Sequence, residues 1–307
     1  MEPARLMLAA ALIVLLGPAL AMPNQAQAPP DLVRKSLSAE RSVSYRGIKY
    51  ADIWLGGRII RAHFKILHQK PNRTRTEYFA PPELSGIVTI ERGSESWHFL
   101  PSQQKWQHYK WELAPERIDL ALENHRAIVS GQGTVAGRTA YAVLLLPKKR
   151  GNPSVKIWID AHYYVVLKSE LRNSAGAPIS ISAFRQIAFE PKDISDSAFD
   201  VRLDIRPPDN PVRKLGFEVV KPKYLPKGYS FVRMSTLEFD GKNAAHLMYT
   251  NGINTISIFE RKRGGRDFGP WKAGIANVLR FDRGNITFTI ISDIDKREMR
   301  KIADSLR

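Results

Sequence analysis

Alternating apolar and polar positions dominate the middle of the chain and predict a fold rich in β-strands. Over 61–68, Ala62, Phe64 and Ile66 point to one side, while charged and polar residues point to the other. Turn-forming pairs such as Gly93-Ser94 separate this stretch from similar ones. The other segments predicted as strands before position 190 are 87–91, 95–100, 141–146, 155–160, 163–171 and 178–189.

Two segments in this half have helical spacing instead. Over 31–41, Val33 and Leu37 recur at helix spacing behind Asp31, which is predicted to be the N-cap. The segment 115–128 carries Ile118 and Leu122 and predicts a second helix. A helix, a run of antiparallel strands and an inserted helix predict a curved antiparallel sheet, or half-barrel, wrapped over helices across 31–205.

A proline-rich stretch, 206–213, predicts a linker that separates this domain from a second one over 214–307. Strands are predicted at 231–239, 244–250, 255–261 and 285–292, and Asn251-Gly252 predicts a tight turn. A closing helix is predicted over 295–306, capped by Asp293 or Asp295. The predicted fold class is therefore α+β, with a large N-terminal and a smaller C-terminal domain.

The first residues resemble a secretory signal. Arg5 precedes the apolar run 6–16, and Ala19-Leu20-Ala21 follows as a small-residue cleavage pattern. The run is shorter than the roughly 20 residues that span a bilayer. We therefore expect a signal peptide over 1–21, cleaved after Ala21, and a periplasmic protein; the alternative is an uncleaved anchor.

Composition narrows the kinds of partner. The 307 residues carry a formal charge of +17, which favours acidic partners such as nucleic acid, an anionic lipid surface or an acidic protein segment. Export argues against nucleic acid. The chain has no Cys, so disulfides and thiol chemistry are excluded.

The sequence offers no recognisable catalytic constellation. His63 and His68 are five residues apart in a predicted strand and so point to opposite faces, which argues against a shared zinc ion. Neither a His-Glu-x-x-His helix nor a Gly-x-Ser-x-Gly elbow occurs. We expect no enzyme, metal or cofactor, and an envelope hydrolase stays a minor alternative.

Two groups of residues are candidates for binding. Clustered aromatic and aliphatic residues either fill the space between sheet and helices or line an apolar cavity; they are Trp54, Phe64, Ile66, Phe79, Trp97 and Phe99. Clustered basic residues are either solvated loops or a docking surface for an acidic partner; they are Lys148, Lys149, Arg150, Arg261, Lys262, Arg263 and Arg266.

Several short motifs resemble known families. Residues 137–147, the W-x-D of 158–160, and the strand leading to Gly176 resemble the strand pattern of the lipoprotein-carrier superfamily of LolA and LolB, with Asn173 in place of an Asp. The segments 44–47 (SYRG), 224–229 (YLPKGY) and 246–252 (HLMYTNG) resemble motifs of the MucB/RseB family of sigma-E regulatory proteins.

The MucB/RseB resemblance implies a function. Members of that family are periplasmic, bind the exported part of a membrane-spanning anti-sigma factor, and shield it from proteolysis until a lipidic signal relieves the protection. The alternative is a periplasmic lipoprotein or lipid carrier of the LolA/LolB type, which has no evident use for the second domain. The sequence leaves the partner, the lipid and the oligomeric state open.

Overall fold

The computed structural model describes residues 29–55, 58–102, 104–110, 112–113, 119–201, 215–239, 242–264 and 277–307. The expected signal peptide, the expected linker and Arg266 lie outside the described residues.

A large curved sheet occupies the N-terminal half. Within the described residues it has eleven antiparallel strands in the order β6-β5-β4-β3-β2-β1-β12-β11-β10-β9-β8. The strands are β1 (Tyr45–Leu55), β2 (Arg58–Gln69), β3 (Arg73–Ala80), β4 (Val88–Arg92), β5 (Glu95–Leu100), β6 (Lys105–Lys110), β8 (His125–Val135), β9 (Arg138–Pro147), β10 (Ser154–Asp160), β11 (Val166–Arg172) and β12 (Pro178–Phe189). The first and last strands of this order do not pair, so the sheet is unclosed.

A second antiparallel sheet contains six described strands in the order β16-β17-β15-β14-β13-β7. They are β7 (Glu112–Leu113), β13 (Ser230–Phe239), β14 (Lys242–Thr250), β15 (Thr255–Lys262), β16 (Asn277–Arg283) and β17 (Ile286–Ser292). The short strand β7 follows β6 along the chain but pairs with β13, so the N-terminal half contributes an edge strand to the second sheet.

The two faces of the large sheet are covered differently. Helix α1 (Pro29–Ser38) buries Leu32 and Val33 against Val143 and Ile157, and we call this side the helix face. The opposite side, the outer face, carries every second residue of each strand; on β2 these include Arg61, His63, Lys65 and Leu67.

The W-x-D stretch has a structural explanation. Asp160, at the end of β10, is 1% exposed and accepts a charged hydrogen bond from Arg138. It also accepts bonds from the backbone N–H groups of His162 and Tyr163, at 2.9 and 2.7 Å. One carboxylate therefore holds both the β10–β11 turn and the neighbouring strand β9.

The second sheet is buried on one face beneath helix α3 (Lys296–Ser305), where Met299 and Ile302 pack against strand residues such as Leu247. Asp295 caps the helix by accepting a 2.7 Å hydrogen bond from the N–H of Arg297. Of the two predicted caps, Asp295 is therefore the one the structure uses. Among the described helices, none combines the length and apolar character of a membrane span.

The helical content is smaller than the sequence predicted. The chain is mostly antiparallel sheet, so the α+β description holds only in part. In the predicted helix over 115–128, the described residues form only the short α2 (Leu120–Asn124), and His125 already begins β8. The reason is that β8 pairs along its length with β9, and this long-range pairing overrides the helical spacing of the apolar residues.

Candidate functional site

A groove of about 560 Å³ lies on the outer face of the large sheet. Its floor is formed by β1, β2, β3 and β12, and the segment 193–198, which we call the strap, forms one wall. Among the residues that line it are Arg46, Ile48, Lys65, Leu67, Arg75, Ala188 and Ile194.

Charged contacts hold the strap in place. Asp193 accepts from Arg46 at 2.6 Å, and Asp196 accepts from Arg73 at 2.6 Å. At the end of the strap, Phe199 is fully buried in a cluster with Ile90 and Trp97. The exposed ion pairs alone contribute little, so the buried Phe199 ring is the main anchor.

The groove combines an aliphatic floor with a charged rim, in which Arg46 is paired with Asp193 and Arg75 with Glu77, each at 2.6 Å. Ile48, Leu67 and Ile194 supply apolar surface, while Arg46 and Lys65 stand beside them. The hydrogen bond from Arg46 lowers the pKa of Asp193, so that carboxylate stays charged. Lys65 is exposed and has no ion-pair partner among the described residues. The arrangement suits a ligand that places an apolar group next to an anion.

The six apolar candidates do not meet in one cavity. Ile66 borders the groove, whereas Phe64 is buried on the helix face with its ring 5.2 Å from that of Tyr78. Trp97 is buried behind the strap, and Phe99 packs on Trp106. The remaining two, Trp54 and Phe79, belong to the outer face, and Phe79 is 45% exposed.

The first basic cluster lies in the turn between β9 and β10. Lys148, Lys149 and Arg150 are all exposed. Lys148 is already engaged, because its Nζ donates to the carbonyls of Leu122 and Glu123 at 2.9 and 3.1 Å, at the end of α2. That leaves Lys149 and Arg150 as the side chains of this turn that face solvent.

The second basic cluster is divided by burial. Arg261 is 2% exposed and lies within the second sheet, between its partners Ala244 and Thr287, so it does not present its charge to solvent. Lys262 and Arg263 are exposed, and Arg263 pairs with Asp282 at 3.0 Å.

The two clusters do not form one continuous surface. Asn152, beside the first cluster, contacts Tyr229, which in turn bonds to Asn254 just before β15. Lys262 is the last residue of β15, and it lies roughly 23 Å from the start of that strand at 3.3 Å per residue. An acidic partner would therefore meet two separate basic points.

A joint connects the two sheets. Asn124, the last residue of α2, donates through Nδ2 to the carbonyls of Gly228, just before β13, and Asn251, just after β14, at 3.0 and 3.2 Å. This joint also contains Gly228 and Gly252, and both lie too close to α2 for a residue with a side chain. A Cβ on Gly228 would come within 1.9 Å of Asn124 Oδ1, and one on Gly252 within 2.3 Å of the Ala121 nitrogen.

A polar cluster between the sheets was missed by the sequence analysis. Arg233 of β13 interacts electrostatically with Glu91 of β4 and with two histidines, His98 of β5 and His246 of β14. Burial raises the pKa of Glu91 and lowers the pKa of His98 to about 4 and that of His246 to about 3, with Arg233 adding to the effect on both histidines. Both rings are therefore neutral at neutral pH.

Two signals in the sequence point toward this cluster. Glu91 and His98 fall on the same face of neighbouring strands, since Glu91 pairs with Ser96 and His98 follows two residues later. His246 opens the HLMYTNG motif and stacks on Phe259 at 4.3 Å. Alternation alone does not say that another sheet covers these positions.

The curved unclosed sheet and the second sheet joined to it define a protein of two antiparallel sheets with a groove on its outer face. Residues 85–203 match the family model described as the MucB/RseB N-terminal domain. Over this segment the chain is similar to the MucB/RseB family.

Solved structures show the same fold. The structure of the Pseudomonas aeruginosa MucA/MucB complex aligns with a TM-score of 0.66 at 15% identity, covering 91% of this chain and 98% of that one. MucB alone gives a TM-score of 0.64 at 17% identity, covering 92% and 98%. MucB in complex with MucA(peri) gives 0.63 at 16%, covering 91% and 98%. No curated protein matches the sequence.

Proposed function

We propose that this chain is a periplasmic, non-enzymatic regulator that binds the exported segment of a membrane-spanning anti-sigma factor and limits its proteolysis. One observation carries the proposal: the likeness to MucB, a protein solved in complex with MucA, extends over 91% of this chain and includes the second sheet. A carrier of the LolA type would need only the first domain.

The exposed basic side chains are the proposed contacts for an acidic partner. Lys149 and Arg150 lie at one end of β15, and Lys262 and Arg263 at the other. A partner segment that reaches both points would cross the second sheet. Because these cations are exposed, they contribute to association rate and orientation more than to affinity.

The groove is the proposed site of an apolar, anionic effector such as a lipid. Binding there releases the partner if the effector has higher affinity for the free protein than for the complex. The apolar floor and the unpaired Lys65 support this choice.

The test uses the purified exported fragment of a candidate membrane-spanning anti-sigma factor from the same organism. We expect a complex by calorimetry and slower cleavage of the fragment by its protease. The double variant Lys149→Gln/Arg150→Gln weakens binding, whereas Lys296→Gln/Arg300→Gln, which removes two exposed charges from α3, does not. The absence of a complex, with and without lipid, would contradict the regulator, and transfer of a lipoprotein in its place would favour the carrier.

A further inference from the structure

Large apolar side chains are exposed on the outer face of the large sheet, away from the groove. Ile59 is 51% exposed and Phe79 is 45% exposed. Trp54 is the cross-strand neighbour of Ile59, and the ring of Phe79 meets that of His63 edge-on at 5.9 Å. We call Trp54, Ile59, Arg61, His63, Phe79 and Arg185 the outer patch.

Cations stand among these apolar side chains. Arg61 is 59% exposed and makes a two-pronged contact with Asp52 at 2.7 and 2.9 Å, between Ile59 and His63 on β2. Arg185 is exposed and lies over the ring of Tyr50 at 5.5 Å. The patch therefore alternates apolar and cationic groups on one surface.

The positive charge continues across the same face. On β1, β2, β3, β10, β11, β12 and the strap, the described outer-face residues include nine cations and five carboxylates. The cations are Arg46, Arg61, Lys65, Arg73, Arg75, Lys156, Lys168, Arg172 and Arg185, and the carboxylates are Asp52, Glu77, Glu170, Asp193 and Asp196. Such an excess attracts an extended anionic surface rather than a single charged group.

The aromatic rings of this face distinguish a bilayer from a nucleic acid. Trp158 is covered by Lys168 at 4.2 Å and Lys156 at 5.0 Å, and Arg185 lies over Tyr50. Bases stack on open ring faces, and these rings are already occupied by the protein's own cations. Trp54, Ile59 and Phe79, by contrast, suit the interfacial layer of a membrane, where apolar side chains and aromatic rings settle near headgroups.

We propose that the outer patch docks this protein on an anionic phospholipid bilayer, with Trp54, Ile59 and Phe79 entering the interfacial layer and the cations facing lipid phosphates. Each Lys or Arg near such a surface raises partitioning about fivefold. The contact is therefore reversible and weakens with salt.

The experiment is co-sedimentation of the exported, purified protein with vesicles. Mass spectrometry first establishes that the apolar run 6–16 has been removed, since that run would bind lipid by itself. We expect binding to vesicles of phosphatidylcholine mixed with phosphatidylglycerol, little binding to phosphatidylcholine alone, and release by added NaCl.

Surface variants assign the binding to the patch. Ile59→Ser/Phe79→Ser is expected to lower partitioning about tenfold, and Arg61→Gln/Arg185→Gln about twentyfold. The matched controls are Val129→Ser, a side chain 39% exposed on β8, and Lys149→Gln/Arg150→Gln. Both controls should stay within about twofold of the parent protein, and circular dichroism checks that every variant folds.

Three outcomes would overturn the proposal. The first is no binding to phosphatidylglycerol vesicles at low salt. The second is equal loss of binding in patch and control variants. The third is a single-stranded oligonucleotide that binds more tightly than vesicles and depends on the same patch residues. Binding of the anti-sigma fragment is measured separately, so failure of the membrane contact leaves the proposed function unaffected.

Discussion

Replacing Gly252 with alanine would test whether the joint holds the two sheets together. Gly252 lies in the turn between β14 and β15 with a φ of +93°, a conformation that favours glycine. The added Cβ would come 2.3 Å from the Ala121 nitrogen and 2.5 Å from its Cα, both backbone atoms. Because a backbone cannot swing aside like a side chain, the turn must move away from α2.

The expected loss of stability has three parts. The left-handed conformation costs about 1 kcal/mol for alanine. The forced separation at Ala121 costs about 2 kcal/mol, as in an overpacked core. Moving the turn also weakens the 3.2 Å bond from Asn124 to the Asn251 carbonyl, which contributes about 1 kcal/mol. The total is about 4 kcal/mol.

Gly176→Ala is the matched control. Gly176 has a φ of +83°, and a Cβ there would meet nothing within 4 Å, so only the backbone cost of about 1 kcal/mol applies. Urea unfolding of both variants is followed by circular dichroism and by Trp fluorescence, which mainly reports the N-terminal half. We expect circular dichroism and Trp fluorescence to give different unfolding midpoints in Gly252→Ala and the same midpoint in Gly176→Ala. Equal losses of stability in the two variants would refute the role given to the joint.

Three further substitutions test individual contacts. Burial raises the pKa of Glu260 from 4.5 to about 7. Between pH 4.5 and 7 the unfolded chain therefore releases this proton while the folded protein keeps it, and the free energy of unfolding falls by about 3 kcal/mol as the pH rises. In Glu260→Gln, thermal melts across this pH range should show a smaller dependence of stability on pH. Asp160→Ala should lower the free energy of unfolding in urea by about 3 kcal/mol, because Arg138 and two backbone N–H groups lose their acceptor. A loss smaller than that of Asp295→Ala would contradict this prediction. Asp295→Ala should cost about 1 kcal/mol through the lost helix cap, and an unchanged midpoint would show that the cap contributes nothing.

The strands were predictable where alternation was strong and turns were clear. The predicted strand over 178–189 is β12, and the predicted closing helix over 295–306 contains α3. Both segments carry their signal locally, in side-chain period and flanking turn residues. The predicted helix over 115–128 is cut short at Asn124 because residues 125–128 pair with β9 as part of β8, and a local pattern does not contain that partner.

The site was less predictable because its parts are distant in sequence. Arg46 and Asp193 are 147 residues apart, and no local spacing brings them together to hold the strap. Arg261 was predicted as the last residue of a strand and as an accessible cation, but it is buried between two neighbouring strands. Alternation assigns a residue to a face, whereas the cover on that face comes from the tertiary fold.

The strap is also linked to the second sheet along the chain. The contacts of Asn124 hold that sheet to the α2 side of the large sheet, away from the groove. The strap, in contrast, forms the groove wall and continues along the chain through 202–214 to Leu215, which is buried in the core of the second sheet. Under the proposed function, a ligand that displaces the strap would act on the partner-binding half through this connection. Phe199→Ala, which removes the main anchor of the strap without touching the second sheet, should then change affinity for the anti-sigma fragment, and an unchanged affinity in a folded variant would exclude this route.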